Sequence, residues 1–126
     1  MAKNYSIDTI DGVTTVRFSK DPGVEDIRNA IDGVAENYLS KLRLWDLRSV
    51  GIKLNSSQKK QLVEYGKSKF LVPSKVAIVA PEDLAYGLKR MYEIYREEGL
   101  TETAIFRTEQ AARVWLKSFS NVARDI

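Results

Sequence analysis

Apolar residues recur along the chain with two different spacings, which predicts that strands and helices alternate. Near the start, two short β-prone runs at roughly 4–10 and 13–19 lie on either side of Asp11-Gly12. Asp-Gly between two such runs favours a type I′ turn, because both central residues of that turn need positive φ. Over roughly 24–39 the apolar residues are three and four positions apart, which is typical of one face of a helix. The chain is therefore expected to open with an antiparallel pair of strands followed by a helix.

The remaining chain alternates between short apolar runs and longer amphipathic stretches. Predicted strands cover 42–47, 75–80 and 103–106, and predicted helices begin near Asn55, Pro81 and Thr108. Because strands joined by helices require right-handed crossovers, the sheet is expected to be mainly parallel. The pattern predicts one α/β domain over 1–126, with an antiparallel N-terminal edge strand and a frayed tail at about 121–126.

The helical spacing also predicts which side of each helix is buried. The expected inner faces are Leu62, Gly66 and Phe70 in the second helix, Leu84, Leu88, Met91, Tyr92 and Tyr95 in the third, and Ala111, Ala112, Trp115, Leu116 and Phe119 in the last. Gly33 lies inside the first helix, where it is expected to be either a weak point or a close packing contact.

The composition removes several classes of function. The 126 residues include no histidine and no cysteine, which excludes disulfides, thiolate nucleophiles, Cys/His zinc sites, imidazole acid–base catalysis and Ser-His-Asp triads. No metal or other cofactor is expected. The net charge is +3, but basic and acidic residues are interleaved, so no nucleic-acid partner is predicted. The longest apolar run, 76–80, is too short for a signal peptide or a membrane span, so a cytoplasmic protein is expected.

Three segments resemble those of a bacterial family. Leu44-Trp-Asp-Leu47, followed by Asn55-Ser-Ser57, is similar to the Asp-Leu … Asp-Ser-Ser-Gly stretch of anti-sigma factor antagonists, the STAS domains. The strand 75–80 resembles their buried strand led by lysine or arginine, and 105–116 is close to the Phe-Arg/Asp-x-x-x-x-Ala-x-x-Trp-Leu ending of SpoIIAA-like proteins. The resemblance implies a β–α superhelix with sequentially ordered strands, a fold shared with CRAL-TRIO lipid-transfer domains, and it implies no enzymatic activity.

The same resemblance implies a phosphorylation site. In antagonists that act as switches, a partner kinase phosphorylates the first serine of Asp-Ser-Ser-Gly, which corresponds to Ser56, with Ser57 beside it. The chain departs from this motif, because Asn55 replaces the aspartate and Gln58 replaces the glycine. A side chain at Gln58 stands where a partner would approach closely. The alternative is that this segment serves only to cap the second helix.

A ligand site is expected at the carboxyl edge of the sheet, where ligands of open parallel sheets bind near helix N-termini. Candidate binding residues at this edge are Lys20, Asp46, Arg48, Ser49, Asn55, Glu82, Arg107 and Thr108. The arginines, the lysine and the helix starts favour a small anionic ligand or a phosphoserine. The alternative is that the hydroxyl and amide groups are plain helix caps and the arginines are solvated.

Asp46, at the end of an apolar strand, allows two interpretations. Burial could raise its pKa and make it a candidate acid, or it could accept backbone hydrogen bonds from the following loop. No second catalytic group is evident in the sequence, so no catalytic residue is predicted.

The favoured hypothesis is a non-enzymatic STAS-type (SpoIIAA-like) domain that binds a protein partner or kinase, or an anionic ligand, near the start of the second helix. The alternative hypothesis is a lipid or small-molecule carrier resembling CRAL-TRIO domains, in which Tyr86, Tyr92 and Tyr95 would floor an apolar pocket. Sequential crossovers place helices mostly on one side of a sheet. Part of the other side would then need cover, which predicts a homodimer.

Overall fold

The chain begins with the predicted hairpin. The structure is a computed structural model, and it describes residues 4–37, 41–48, 51, 54–70, 74–87 and 101–118. Strand β1 (Tyr5–Ile10) pairs antiparallel with β2 (Val13–Phe18). Asp11 and Gly12 join the two strands with φ angles of 52° and 79°, the positive values that a type I′ turn requires. The hairpin prediction is confirmed.

Five strands form one sheet in sequential order. The strands β3 (Leu42–Asp46), β4 (Ser74–Val79) and β5 (Thr101–Phe106) follow β2, and the sheet order is β1-β2-β3-β4-β5. Only the β1–β2 pair is antiparallel, and the other neighbours are parallel. The carboxyl ends of β2 to β5 therefore lie along one edge of the sheet, as the mainly parallel arrangement predicts. This edge is called the carboxyl edge below.

Helices follow the parallel strands. They are α1 (Val24–Asn37), α2 (Ser56–Lys69), α3, which begins at residue 82 and is described as far as residue 87, and α4 (Glu109–Leu116). Most of the expected inner face of α3 and the 121–126 tail lie outside the described residues. The architecture is a single α/β domain with a mixed five-stranded sheet, as predicted.

One face of the sheet, called the α1 face, carries the larger apolar core. Alternate strand residues point to opposite faces of a sheet, and those of this face pack under α1 and against the ends of α2 and α3. The buried members are Val16, Phe18, Ala30, Ile31, Val34, Leu47, Phe70, Val76, Ile78, Ala80 and Ala85. A Cβ at Gly33 would lie 3.2 Å from the Ile7 side chain, so this glycine is a close packing contact between α1 and β1.

The opposite face, called the α4 face, is covered by α4. Its buried apolar residues are Val13, Leu44, Ala77, Val79, Ala112 and Leu116. Ala111, predicted to face inward, is exposed. The prediction is wrong because Glu109 and Arg113, which lie one turn apart, are bound to β2 and turn that side of the helix inward. The homodimer was expected to cover an open face of the sheet, but α4 of the same chain covers much of this face. The argument for a homodimer is therefore weaker, and the homodimer stays a prediction.

Candidate functional site

Five charged side chains meet at the carboxyl edge on the α4 face. They are Arg17, Asp46, Arg48, Glu109 and Arg113, and they are called the charged cluster below. Two of them, Asp46 and Arg48, are among the candidate residues predicted from the sequence. Arg17, Glu109 and Arg113 are not.

The fold brings these residues together from three separate segments. Arg17, near the end of β2, lies opposite Asp46, the last residue of β3, in the parallel register. Both side chains point to the α4 face, because they share the strand parity of the residues buried there. Glu109 is the first residue of α4 and follows Thr108, whose side chain caps the helix by accepting from the Ala111 N–H at 3.1 Å.

Glu109 is the hub of the cluster. Its two carboxylate oxygens accept from Arg17 Nη1 and Nη2 at 2.9 and 3.0 Å, from Arg48 Nη2 at 3.1 Å and from Arg113 Nε at 2.8 Å. The hydrogen bonds from Arg17 are the main cause that lowers the pKa of Glu109 to about 2, and that from Arg113 lowers it further. Burial alone would raise this pKa. Charge-assisted, bidentate contacts of this kind are the strong hydrogen bonds of proteins.

Asp46 is held almost as firmly. It accepts from Arg17 Nη1 at 2.6 Å, from Arg48 Nη2 and Nε at 2.7 and 2.9 Å, and from the Arg48 backbone N–H at 3.1 Å. Burial acts to raise the pKa of Asp46, but the hydrogen bonds and charge of Arg48, together with Arg17, outweigh it, so the pKa is lowered. The pKa of Asp46 is therefore shifted in the opposite direction to the one that the candidate-acid hypothesis expects. The loop-acceptor interpretation is confirmed by the Arg48 N–H.

All four groups at the centre of the cluster are stabilised in their charged forms. The hydrogen bond to Glu109 is the main cause that raises the pKa of Arg17, and the hydrogen bond to Asp46 does the same for Arg48. A general acid or base needs a pKa near the working pH. The pKa values of the Asp46 and Glu109 carboxyl groups and of the Arg17 and Arg48 guanidinium groups are all shifted away from that range.

The start of α2 is the second feature of the carboxyl edge. Asn55 is the N-cap: its side chain accepts from the Gln58 N–H at 2.8 Å, and the Gln58 side chain accepts from the Asn55 N–H at 3.0 Å. Capping by Asn55 leaves Ser56 and Ser57 exposed. Over the described ranges, no hydrogen bond engages either hydroxyl group. The first turn of α2 also contains no acidic residue.

The other candidate residues are spread along the same edge. Lys20 is exposed just after β2. Glu82 and Arg107, both exposed, form an ion pair at 3.6 Å across the starts of α3 and α4. Thr108 is a cap, as the structural alternative predicted, and Ser49 lies outside the described residues. The structure thus brings Asp46 and Arg48 into one cluster and pairs Glu82 with Arg107.

The sequence resemblance identifies Lys75 as the residue that leads a buried strand, but it does not predict the contact of this lysine with the other end of α4. Lys75 is completely buried, and its ammonium group donates to the carbonyl oxygens of Trp115 and Ser118 at 2.5 and 3.2 Å and lies 4.3 Å from the Trp115 ring centroid. Burial lowers the pKa of Lys75. A cation at the carboxyl end of a helix stabilises the last carbonyl groups and the helix dipole. Lys75 therefore holds the end of α4 in place.

The missed cluster residues had one usable signal. Arg17 and Asp46 carry opposite charges at the ends of two strands that are neighbours in the predicted sheet, which suggests an ion pair. Glu109 and Arg113 gave no comparable signal, because an acid in the first turn and a base one turn later are ordinary for an isolated helix.

One further finding concerns the lipid-carrier hypothesis. Tyr86, expected to floor an apolar pocket, is 66% exposed, whereas Tyr92 and Tyr95 lie outside the described residues.

Over the described ranges, the helices are too short or too polar to cross a membrane.

Comparison with solved structures identifies the fold. The chain is similar to an uncharacterized protein from the DUF3478 family, with a SpoIIAA-like fold, from Shewanella loihica PV-4. The TM-score is 0.55 at 16% sequence identity, and the match covers 89% of this chain and 91% of that chain. No protein-family model matches the chain, and no curated protein does either. The chain therefore has a SpoIIAA-like fold, as its sequence resemblance implied.

Proposed function

We propose that this chain is a non-enzymatic binding domain that docks a protein partner at the carboxyl edge of its sheet, around the first turn of α2. The observation that carries the proposal is the state of the charged cluster. Asp46 and Glu109 are each held by at least two arginines, and the pKa of each carboxyl group is lowered. Groups held in one charge state suit recognition better than proton transfer.

The rest of the carboxyl edge has the composition of a contact region. Lys20, Ser56 and Ser57 are exposed, and so are both members of the Glu82–Arg107 pair. Both signs of charge and hydrogen-bonding groups lie along one edge, which can orient a partner of complementary charge. Because Asn55 caps α2, the two serine hydroxyl groups remain available to a partner or to a kinase.

A phosphate on Ser56 or Ser57 would act strongly on this surface. It would add about −1.5 to −2 charges at the positive end of α2, where the first turn has no acidic residue. We therefore propose that a kinase acting on these serines would alter docking at this edge without unfolding α2.

The proposal is tested by affinity capture from the organism that makes the protein, with three baits. The baits are the unchanged chain, the double variant Ser56→Glu/Ser57→Glu, and the control Ser68→Glu, which places a charge on an exposed serine near the other end of α2. A partner that docks at the first turn should be retained by the unchanged chain and by the control. Retention by the double variant should fall by about tenfold, the effect of about 1.4 kcal/mol.

Two outcomes contradict the proposal. One is a partner that all three baits retain equally, which would place its contact elsewhere. The other is a catalytic activity of the purified chain that is lost in Asp46→Asn, which would make the carboxyl edge an active site.

A further inference from the structure

We propose that the three arginines of the charged cluster form a site for a phosphate monoester dianion, which takes the place that the Glu109 carboxylate holds in the free protein. This inference deepens the proposed function, on which it rests, because it names the chemistry that a docking partner presents. The ligand group is the same whether it belongs to a phosphoserine of a partner protein or to a free small molecule.

The contacts of Glu109 are those of a bound oxyanion. Arg17 grips both carboxylate oxygens with its two terminal nitrogens, Arg48 donates to one oxygen, and Arg113 Nε donates to the other, all between 2.8 and 3.1 Å. Planar guanidinium groups bind carboxylate and phosphate oxygens in the same forked geometry. A phosphate group offers three such oxygens and can accept the same donors.

The charge balance of the cluster favours a dianion over the carboxylate. Three guanidinium groups face two carboxylates, Asp46 and Glu109, so the cluster as described has one uncompensated positive charge. If Glu109 moves out, Asp46 alone remains and the excess becomes two positive charges. A phosphate monoester carries about −1.5 to −2 charges at pH 7, which matches that excess.

The cluster is open enough for this exchange. The side chains of Arg17 and Arg48 are 35% and 41% exposed, so a ligand can reach them from solvent. Glu109 belongs to the first turn of α4, so its displaced carboxylate still interacts favourably with the helix dipole. Arg113 Nη1 is buried and has no hydrogen-bond partner among the described residues, which leaves a spare donor in the cluster.

Asp46 is expected to stay in place and to act as a positioning residue. Its side chain is only 10% exposed, less than that of Glu109 at 24%. It accepts hydrogen bonds from Arg17 and Arg48. Both arginines also donate to the Glu109 carboxylate, so Asp46 fixes their position. Exchange therefore needs movement of one side chain, not of the sheet.

The test is a calorimetric or NMR titration of the full chain at pH 7.5 with inorganic phosphate. Glu109→Gln removes the competing charge and should bind phosphate about tenfold more tightly than the unchanged chain. Arg48→Gln should bind about tenfold more weakly, since one charge-assisted contact is lost, and Arg48→Lys should fall between because it keeps the charge but not the fork. Arg28→Gln, which removes an exposed arginine of α1 on the opposite face of the sheet, is the control and should leave binding unchanged.

Further titrations identify the ligand chemistry and its source. Dimethyl phosphate, a monoanion, should bind more weakly than phosphate, and monoester binding should weaken below about pH 6 as the phosphate takes up its second proton. A capped phosphoserine peptide that binds more tightly than inorganic phosphate would indicate a partner protein. Equal affinities would indicate a free phosphate compound.

The inference is wrong if Glu109→Gln does not increase phosphate affinity, or if Arg48→Gln, checked for its native circular dichroism, binds as well as the unchanged chain. If either occurs while Ser56→Glu/Ser57→Glu still loses its partner, the proposed function stands and only the phosphate site fails. If phosphate binds as expected but no partner depends on the first turn of α2, the docking surface is wrong and the phosphate site stands.

Discussion

The two faces of the sheet are held by different forces. The α1 face has eleven buried residues in its core over the described part of the chain, whereas the α4 face has six. The smaller core lies under α4, a helix of eight residues. At the start of this helix Glu109 pairs with Arg17, and at its end Lys75 of β4 donates to the Trp115 carbonyl oxygen. A short helix with little apolar area to bury gains stability from ion pairs and capping. Over the described residues, the charged cluster thus lies on the face of the sheet that has the smaller apolar core.

A cavity in the smaller core, under α4, should destabilise the chain most. Leu116 is almost completely buried against the sheet, and Leu116→Ala should lower the free energy of unfolding by about 2–5 kcal/mol, because it leaves a cavity. Val114→Ala is the matched control in the same helix, since Val114 is exposed, and should change it by less than about 0.5 kcal/mol. Urea denaturation measures both, and equal losses would mean that α4 is not packed as described.

The next largest effect concerns the far end of α4. Lys75→Met removes the donor to the Trp115 and Ser118 carbonyl oxygens and should cost about 1–3 kcal/mol of unfolding free energy, as for buried groups left unsatisfied. Lys117→Met is the control: its ammonium group donates to the Asp11 carbonyl oxygen from an exposed position, and its loss should cost less than about 1 kcal/mol. A Lys75→Met chain as stable as the original would show that the hydrogen bonds of Lys75 to the end of α4 add nothing to the free energy of unfolding.

Acid should weaken the α4 face through Glu109. The pKa of this carboxyl group is about 2 in the folded chain, against an ordinary value of 4.5. Because the folded value is the lower one, the ion pairs stabilise the fold fully above about pH 5, and this stabilisation is lost as the pH falls from about 4.5 towards 2. Asp46 acts in the same direction.

Two variants separate this effect from general acid denaturation. Glu109→Gln should reduce the loss of unfolding free energy between pH 6 and pH 3, whereas Glu82→Gln, at an exposed ion pair, should leave that loss unchanged. Unfolding by urea at several pH values gives the comparison. An identical pH dependence in Glu109→Gln and the unchanged chain would contradict the role given to this carboxylate.

The smallest effect concerns the starts of the two helices. The first turn of α4 has Glu109, and that of α2 has no acid. Ser56→Glu should therefore stabilise the chain by about 0.3–1 kcal/mol through the helix dipole. Ser68→Glu, near the negative end of the same helix, should not stabilise it. Thermal unfolding measures both, and a loss of stability in Ser56→Glu would contradict the exposed position of this serine.

Features that depend on neighbouring residues were predictable from the sequence. The Asp11-Gly12 turn, a cap within 55–57 and the Thr108 cap follow from local backbone preferences, and the structure has all three, with Asn55 as the cap of α2. The apolar strand at 74–79 was recognisable because burial on both faces leaves a continuous apolar run.

Features that depend on distant residues were only partly predictable. Asp46 and Arg48 were candidates, but the cluster also needs Glu109, which is 92 positions from Arg17. Helical spacing places Ala111 on the inner face, because spacing alone cannot show which polar residues have buried partners. Arg113 lies inward because it binds the Thr15 hydroxyl group and Glu109.

We propose that the charged groups of the carboxyl edge stay charged near neutral pH and serve docking. The most direct test is an NMR titration of the side-chain carboxyl carbons of Asp46 and Glu109 in the folded chain. We expect a midpoint near pH 2 for Glu109 and a midpoint below the ordinary value of 3.8 for Asp46. A midpoint for either carboxyl group between about pH 5 and 8 would contradict it, because that group would then be able to exchange protons as a catalyst does.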